Sequence, residues 1–188
     1  KSKEFALLAL HLLNKFFPPN HGDLSLVLLF LGLVNIVEGK FTDALEQPQK
    51  AFQIANELYG RQHPETMSII KCLGWLSSKM GNFSEAEKLL RECLDFRLAL
   101  FGESHPSTAD AYNRIGGVLA DQGKYNESVK YYRTALEILQ TCLDKNHPDL
   151  ATAYNDLATV YSDLGELDVA LEYYNFALQI RIKAFGDN

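Results

Sequence analysis

Four histidines, His21, His63, His105 and His147, recur at intervals of 42 residues. Imidazole is a frequent metal ligand and a general base near neutral pH, so a regular histidine series invites a metal or acid–base reading. The interval argues against a shared metal. Ligands of one zinc ion sit about 2 Å from it, whereas residues one repeat apart in a stack of helices are separated by about 10 Å. Three of the four precede a proline, as His63-Pro64, His105-Pro106 and His147-Pro148, and His21-Gly22 is a degenerate copy. A loop residue before the proline that opens a helix accounts for the pattern.

The other reactive groups are as weakly organised. Asp156, Asp163 and Glu166 are near enough in sequence to pair as acid and base, but carboxylates spaced in this way read as a solvated helix face. Three cysteines, Cys72, Cys93 and Cys142, are an odd number without metal-ligand spacing, which points to a reducing compartment. Cys93 falls at a small-residue position and reads as a buried thiol. For Cys72 no neighbour is identified that would lower its pKa. No phosphate loop, nucleophile elbow or His-Glu-x-x-His occurs. The two glycosylation patterns, at Asn82 and Asn126, coincide with helix starts. The chain is therefore expected to be non-enzymatic, with no cofactor or metal.

What positions these residues is an internal repeat. Gly39, Gly81, Gly123 and Gly165 recur at the same 42-residue interval, each followed two residues on by Phe41, Phe83, Tyr125 or Leu167. A fixed period of this size means stacked supersecondary units. The repeats are expected at 21–62, 63–104, 105–146 and 147–188, preceded by half a unit, 1–17, that supplies only a second helix and is stopped by Pro18-Pro19-Asn20. All belong to one array, 1–188.

Each full unit holds two amphipathic stretches. Helix A starts at the proline, whose missing N–H costs nothing there, and ends at the recurring glycine. Helix B is expected to take Thr42, Ser84, Asn126 or Asp168 as its N-cap. It runs to an aromatic or Leu before Gly60, Gly102 or Gly186, with Asp144 visiting the left-handed region in the odd unit. Gly32, Gly74, Gly116 and Ala158, facing Ala44, Ala86, Ser128 and Ala170, let the helices approach, and Leu31, Leu73, Ile115 and Leu157 fill the space around them. Pro48, inside the first helix B, predicts a kink or a late start. The fold class is all-α, an α-solenoid of antiparallel helix hairpins.

Composition agrees with a folded chain: 47% of residues are hydrophobic and 22% charged. The net charge of −6 belongs to the last repeat, where residues 147–188 hold 7 acidic and 2 basic side chains. With no basic face there is no footprint for nucleic acid. The apolar run from Leu24 to Val37 is 14 residues, too short to span a bilayer. The chain opens Lys1-Ser2 without a signal-peptide pattern and without an initiator Met, and reads as an excised cytoplasmic fragment.

Leu73-Gly74, Gly81, Phe83, Ala86 and Cys93 stand at the spacings of the tetratricopeptide repeat, which the chain resembles over its whole length. The long 42-residue unit with His-Pro resembles that of kinesin light chains. The resemblance implies a right-handed superhelix with helix A lining a concave groove and helix B outside. It also implies which side chains meet a ligand. In the second unit these are Ser68, Lys71, Cys72, Trp75, Ser78 and Lys79; in the third, Asp110, Asn113, Arg114, Gly117, Ala120 and Asp121; in the fourth, Thr152, Asn155, Asp156, Thr159, Ser162 and Asp163. Asn113 and Asn155 match the asparagines that hold a peptide backbone in such domains, while Lys71 and Leu29 break that series and Trp75 replaces part of a carboxylate clamp.

The first unit differs. Leu26, Leu29, Phe30, Leu33, Ile36 and Val37 all fall on its groove face, an apolar patch of the kind that marks an interaction site. A peptide, another repeat or self-association through helix 24–37 would cover it. The leading expectation is a scaffold that binds a protein or peptide ligand in the groove, a cargo-adaptor module like that of kinesin light chain. The alternative is a regulatory or ligand-sensing domain from a larger enzyme or signalling ATPase.

Overall fold

The structure is a computed structural model that describes residues 2–16, 21–38 and 41–186. The side chains of Leu33, Ile36, Val37 and residues 41–44 are among those outside the description, as are Phe17, Pro18, Pro19, Asn20 and Gly39. The described residues form α1 (Ser2–Phe16), α2 (Gly22–Val37), α3 (Phe41–Tyr59), α4 (Pro64–Lys79), α5 (Phe83–Phe101), α6 (Pro106–Asp121), α7 (Tyr125–Cys142), α8 (Pro148–Asp163) and α9 (Leu167–Phe185). No strand occurs among them. The fold is an all-α helical repeat.

The chain divides into two compact units, residues 1–89 and 90–188, and α5 runs across the division. In the first unit α1 packs on α2, α2 on α3 and α3 on α4. In the second, α6 packs on α7, α7 on α8 and α8 on α9.

Helix A begins where the sequence indicates, at Pro64, Pro106 and Pro148, and the histidine before each proline is the N-cap. Its Nδ1 accepts from the backbone N–H two residues on, at 3.3 Å from Glu65, 3.0 Å from Ser107 and 3.2 Å from Asp149. His21 does the same for Asp23 at 3.3 Å. One of the free N–H groups of each helix start is thereby satisfied. The rings of Tyr59 and Phe101 stack on His63 and His105, with centroids 4.7 and 4.4 Å apart.

Helix A ends at Gly81, Gly123 and Gly165, whose φ angles of 78°, 74° and 80° only glycine adopts without strain. The N–H of the next residue then reaches back five positions, Asn82 to Ser77, Lys124 to Leu119 and Glu166 to Tyr161, at 2.8, 2.9 and 2.9 Å. This Schellman closure turns the chain at once into the following helix. The expected N-caps of helix B are therefore two residues late. Thr42, Ser84, Asn126 and Asp168 all lie inside their helices, and the true caps of α7 and α9, Lys124 and Glu166, make no side-chain cap bond.

A second correction concerns Asp144. No described residue other than glycine has a positive φ. Instead α7 stops at Cys142, Leu143 is extended, and the Asp144 carboxylate accepts from the Asn146 N–H at 2.9 Å to hold a turn. The neighbouring repeats show what is missing. Thr66 Oγ1 donates to the Gly60 carbonyl and Thr108 Oγ1 to that of Gly102, both at 2.8 Å; 42 residues on, the pair is Leu150 and Asp144. Pro48, too, does not delay its helix, since α3 runs from Phe41 to Tyr59 with Pro48 buried within it.

The small residues bring helices together as expected. A Cβ at Gly116 would lie 2.9 Å from the Tyr132 ring, and Ser128 Oγ donates to the Gly116 carbonyl at 2.7 Å. Leu31, Leu73, Ile115 and Leu157 are buried. Cys93 is buried as well, Cys72 half-buried and Cys142 exposed.

Candidate functional site

In the second unit α6 and α8 are the two A helices, and one hydrogen bond joins their faces. Asn113 Nδ2 donates to Asp156 Oδ2 at 2.7 Å. Burial pushes the Asp156 carboxyl above the usual aspartate range, opposed by the Asn113 bond and by the positive charge of Arg181. The same carboxylate and that of Asp121 reinforce burial in raising the Tyr132 phenol. Asn113 was expected to offer a ligand both a donor and an acceptor. One of its two amide N–H donors is already engaged, and Oδ1 is buried with no hydrogen-bond partner.

Asn155, the residue before Asp156, is half-buried, and its side chain has no hydrogen bond among the described residues. Its carbonyl accepts from Thr159 Oγ1 at 2.9 Å. Arg114 is less available than expected. Its Nε donates to Asp110 Oδ1 at 2.9 Å, while Arg97 Nη1 reaches Asp110 Oδ2 at 2.7 Å. Arg97 was not among the expected groove residues because it belongs to a B helix, α5; only its length brings it to the A face. A cleft of about 280 Å³ opens between these helices, lined by Pro106, Ala109, Asp110, Asn113, Asp149 and Thr152 among others.

The A helices of the first unit are different in kind. On α2, Leu26 and Phe30 are 52% and 44% exposed and Leu29 is half-buried, while Leu24, Leu28 and Leu31 are buried. The side chains of Leu33, Ile36 and Val37 lie outside the described residues. On α4, Trp75 and Lys71 are half-buried and Lys79 exposed; Lys71 and Lys79 both have interaction partners within the chain. Ser78, which the tetratricopeptide resemblance implied would meet a ligand, is instead buried. Among the described residues no three metal-ligating side chains converge, and no helix is long and apolar enough to cross a membrane.

The tetratricopeptide repeat family model matches residues 23–99 and again 107–183. The chain belongs to the tetratricopeptide repeat family. No curated protein matches the sequence. Solved tetratricopeptide-like structures do. BtubC (BKLC) from P. vanneervenii superposes with a TM-score of 0.77 at 21% identity, over 98% of this chain and 74% of that one. Podosopora anserina repeats assigned to a kinesin light chain give 0.77 at 19%, over 97% and 86%. A Rap protein complexed with competence and sporulation factor gives 0.78 at 18%, over 95% of this chain and 48% of its own. At these identities the likeness is one of fold.

Proposed function

We propose that the chain is a protein-interaction scaffold that holds a peptide segment on the faces of its A helices, in the manner of a kinesin light chain-like cargo adaptor. The observation that carries this is the buried, unpartnered Oδ1 of Asn113 on α6, together with a half-buried Asn155 on α8 that has no side-chain bond. A buried acceptor left unsatisfied costs about 1–3 kcal/mol, and a peptide N–H laid along α6 and α8 removes that cost. Asn155 supplies a donor and an acceptor to the same backbone.

Charge sets what the segment carries. Asp149, Asp156 and Asp163 lie on α8, and Arg114 is tied to Asp110, so the second unit favours a neutral or basic segment. Leu26, Leu29 and Phe30 on α2 offer separate apolar anchorage in the first unit. Lys71, Lys79 and Trp75 on α4 line the same kind of face. The Rap structure, solved with a bound factor, supports the second reading, a regulatory array that senses a ligand for chemistry located elsewhere.

Selection from a displayed random-peptide library tests the proposal. Enrichment of sequences with basic residues, lost on the Asn155→Ala variant, supports it. Enrichment that survives both Asn155→Ala and Asn113→Ala would place binding on another surface.

A further inference from the structure

A cavity of about 290 Å³ opens beside the turn that joins α7 to α8. It lies where this repeat departs from its neighbours. Thr108 ties the start of α6 to the Gly102 carbonyl, whereas the counterparts Leu150 and Asp144 make no such bond and Leu143 runs extended into the turn. Leu143 and Leu150 both line the cavity, with Phe176 and Ile180 of α9. Tyr154 completes the apolar wall, its ring 5.4 Å from that of Phe176 and its hydroxyl already accepting from Gln140 Nε2 at 2.9 Å.

The lining differs in charge from the repeat around it. Residues 147–188 hold 7 acidic and 2 basic side chains, yet no carboxylate lines the cavity, and Lys145 of the turn and Lys183 of α9 do. Neither lysine has an ion-pair or hydrogen-bond partner among the described residues. Asp144, beside Lys145 in the chain, is held in the turn by the Asn146 N–H. One repeat earlier, Glu103 and Glu137 stand at the positions of Lys145 and Gln179, and Thr141 at that of Lys183. The basic lining therefore belongs to this place and not to the repeat pattern.

The mouth lies on a side of α9 that a packed helix leaves free. On α7, against which α8 packs, the matching residues Glu137 and Thr141 both stay exposed.

We propose that this cavity binds a small organic acid, its carboxylate held by Lys145 and Lys183 and its apolar tail laid against Leu150, Tyr154, Phe176 and Ile180. Two ammonium groups without internal partners supply charge-assisted hydrogen bonds to a carboxylate, and burial of the tail adds the apolar contribution. The volume is at the lower end for small-molecule sites. The cavity shares no lining residue with the cleft beside Asn113, so it stands apart from the peptide reading.

Titration of the 188-residue chain with octanoate, followed by amide correlation NMR, tests the proposal. Saturable shifts of the Asn146, Leu150, Gln179 and Lys183 amides are expected. Acetate, which lacks the tail, and octanol, which lacks the charge, should each bind about 10-fold more weakly or worse. Lys145→Gln with Lys183→Gln should weaken octanoate binding by about 10-fold or more, and Lys145→Arg with Lys183→Arg should retain it. Both positions are exposed, so neither pair threatens the fold. No saturation, octanol bound as tightly as octanoate, or undiminished binding in the glutamine pair would each overturn the proposal. Shifts centred on Ala109, Asn113 and Thr152 would move the acid to the other cleft and overturn it as well.

Discussion

Asn113 and Asp156, 43 positions apart, are joined by a 2.7 Å hydrogen bond that ties the A helix of one repeat to that of the next. The bond fixes two groups that would otherwise face a ligand freely. It leaves Asn113 Oδ1 as the orphan acceptor and holds Asp156 in surroundings that disfavour its charge.

Stability should record that second effect. Asp156 titrates near the ordinary aspartate value when unfolded and above it when folded. Between the two the folded state binds more protons, so this residue's contribution to stability falls as pH rises through that window. Asp156→Asn keeps an acceptor for Asn113 and removes the titration. Its melting temperature should gain on the wild type as pH rises from about 4. Identical pH profiles for the two proteins would contradict the burial assigned to this carboxyl.

The close approach of α6 and α7 makes Gly116 sensitive. A Cβ there already meets the Tyr132 ring at 2.9–3.2 Å, so Gly116→Leu should cost about 1–3 kcal/mol or more through overpacking. Lys124→Leu, at an exposed turn, should stay within about 0.5 kcal/mol. Denaturant titration of both variants checks the pair. An unaffected Gly116→Leu would show that the helices are not in this register.

Much of this register was legible from sequence because it depends on single residues with hard constraints. Proline fixes the start of α4, α6 and α8, and glycine with φ near 80° fixes their ends. What was misjudged depends on two places acting together. Ser84, Asn126 and Asp168 look like N-caps one at a time, but the Schellman turn that closes the preceding helix starts helix B two residues earlier and leaves them inside it. Asp144 looks like a substitute for glycine until Leu150 is seen in place of the threonine that binds the glycine carbonyl in the other repeats. The same limit applied at the site. Helical spacing put Asn113 and Asp156 on A faces, yet their mutual bond, and the reach of Arg97 to Asp110, depend on lateral distances between helices that spacing along one helix does not encode.

The threonine–glycine tie gives a prediction of its own. Thr108→Val keeps the shape and removes the bond to the Gly102 carbonyl, and should cost about 1 kcal/mol. Thr134→Val, whose hydroxyl is bonded only within its own helix to Lys130, is the control and should change little. Equal losses in thermal melts would mean that the tie contributes nothing particular.

The apolar face of α2 should separate cleanly from the core behind it. Leu28→Ala removes a buried side chain and should cost about 2–5 kcal/mol. Leu26→Ser with Phe30→Ser touches exposed positions and should leave the unfolding midpoint within about 0.5 kcal/mol of the wild type. If the double variant unfolds, these residues belong to the core and not to a binding face.

The central claim is that peptide is held on the A-helix face of the second unit through Asn113 and Asn155. Fluorescence anisotropy with a labelled peptide taken from the library selection tests it most directly, comparing the wild type with Asn113→Ala and Asn155→Ala. Losing a buried hydrogen bond to the peptide backbone should weaken binding by about 10-fold for each asparagine, with helical content unchanged. Affinity that is unchanged in both variants, but lost when the exposed surface of the B helices is altered, would contradict the account.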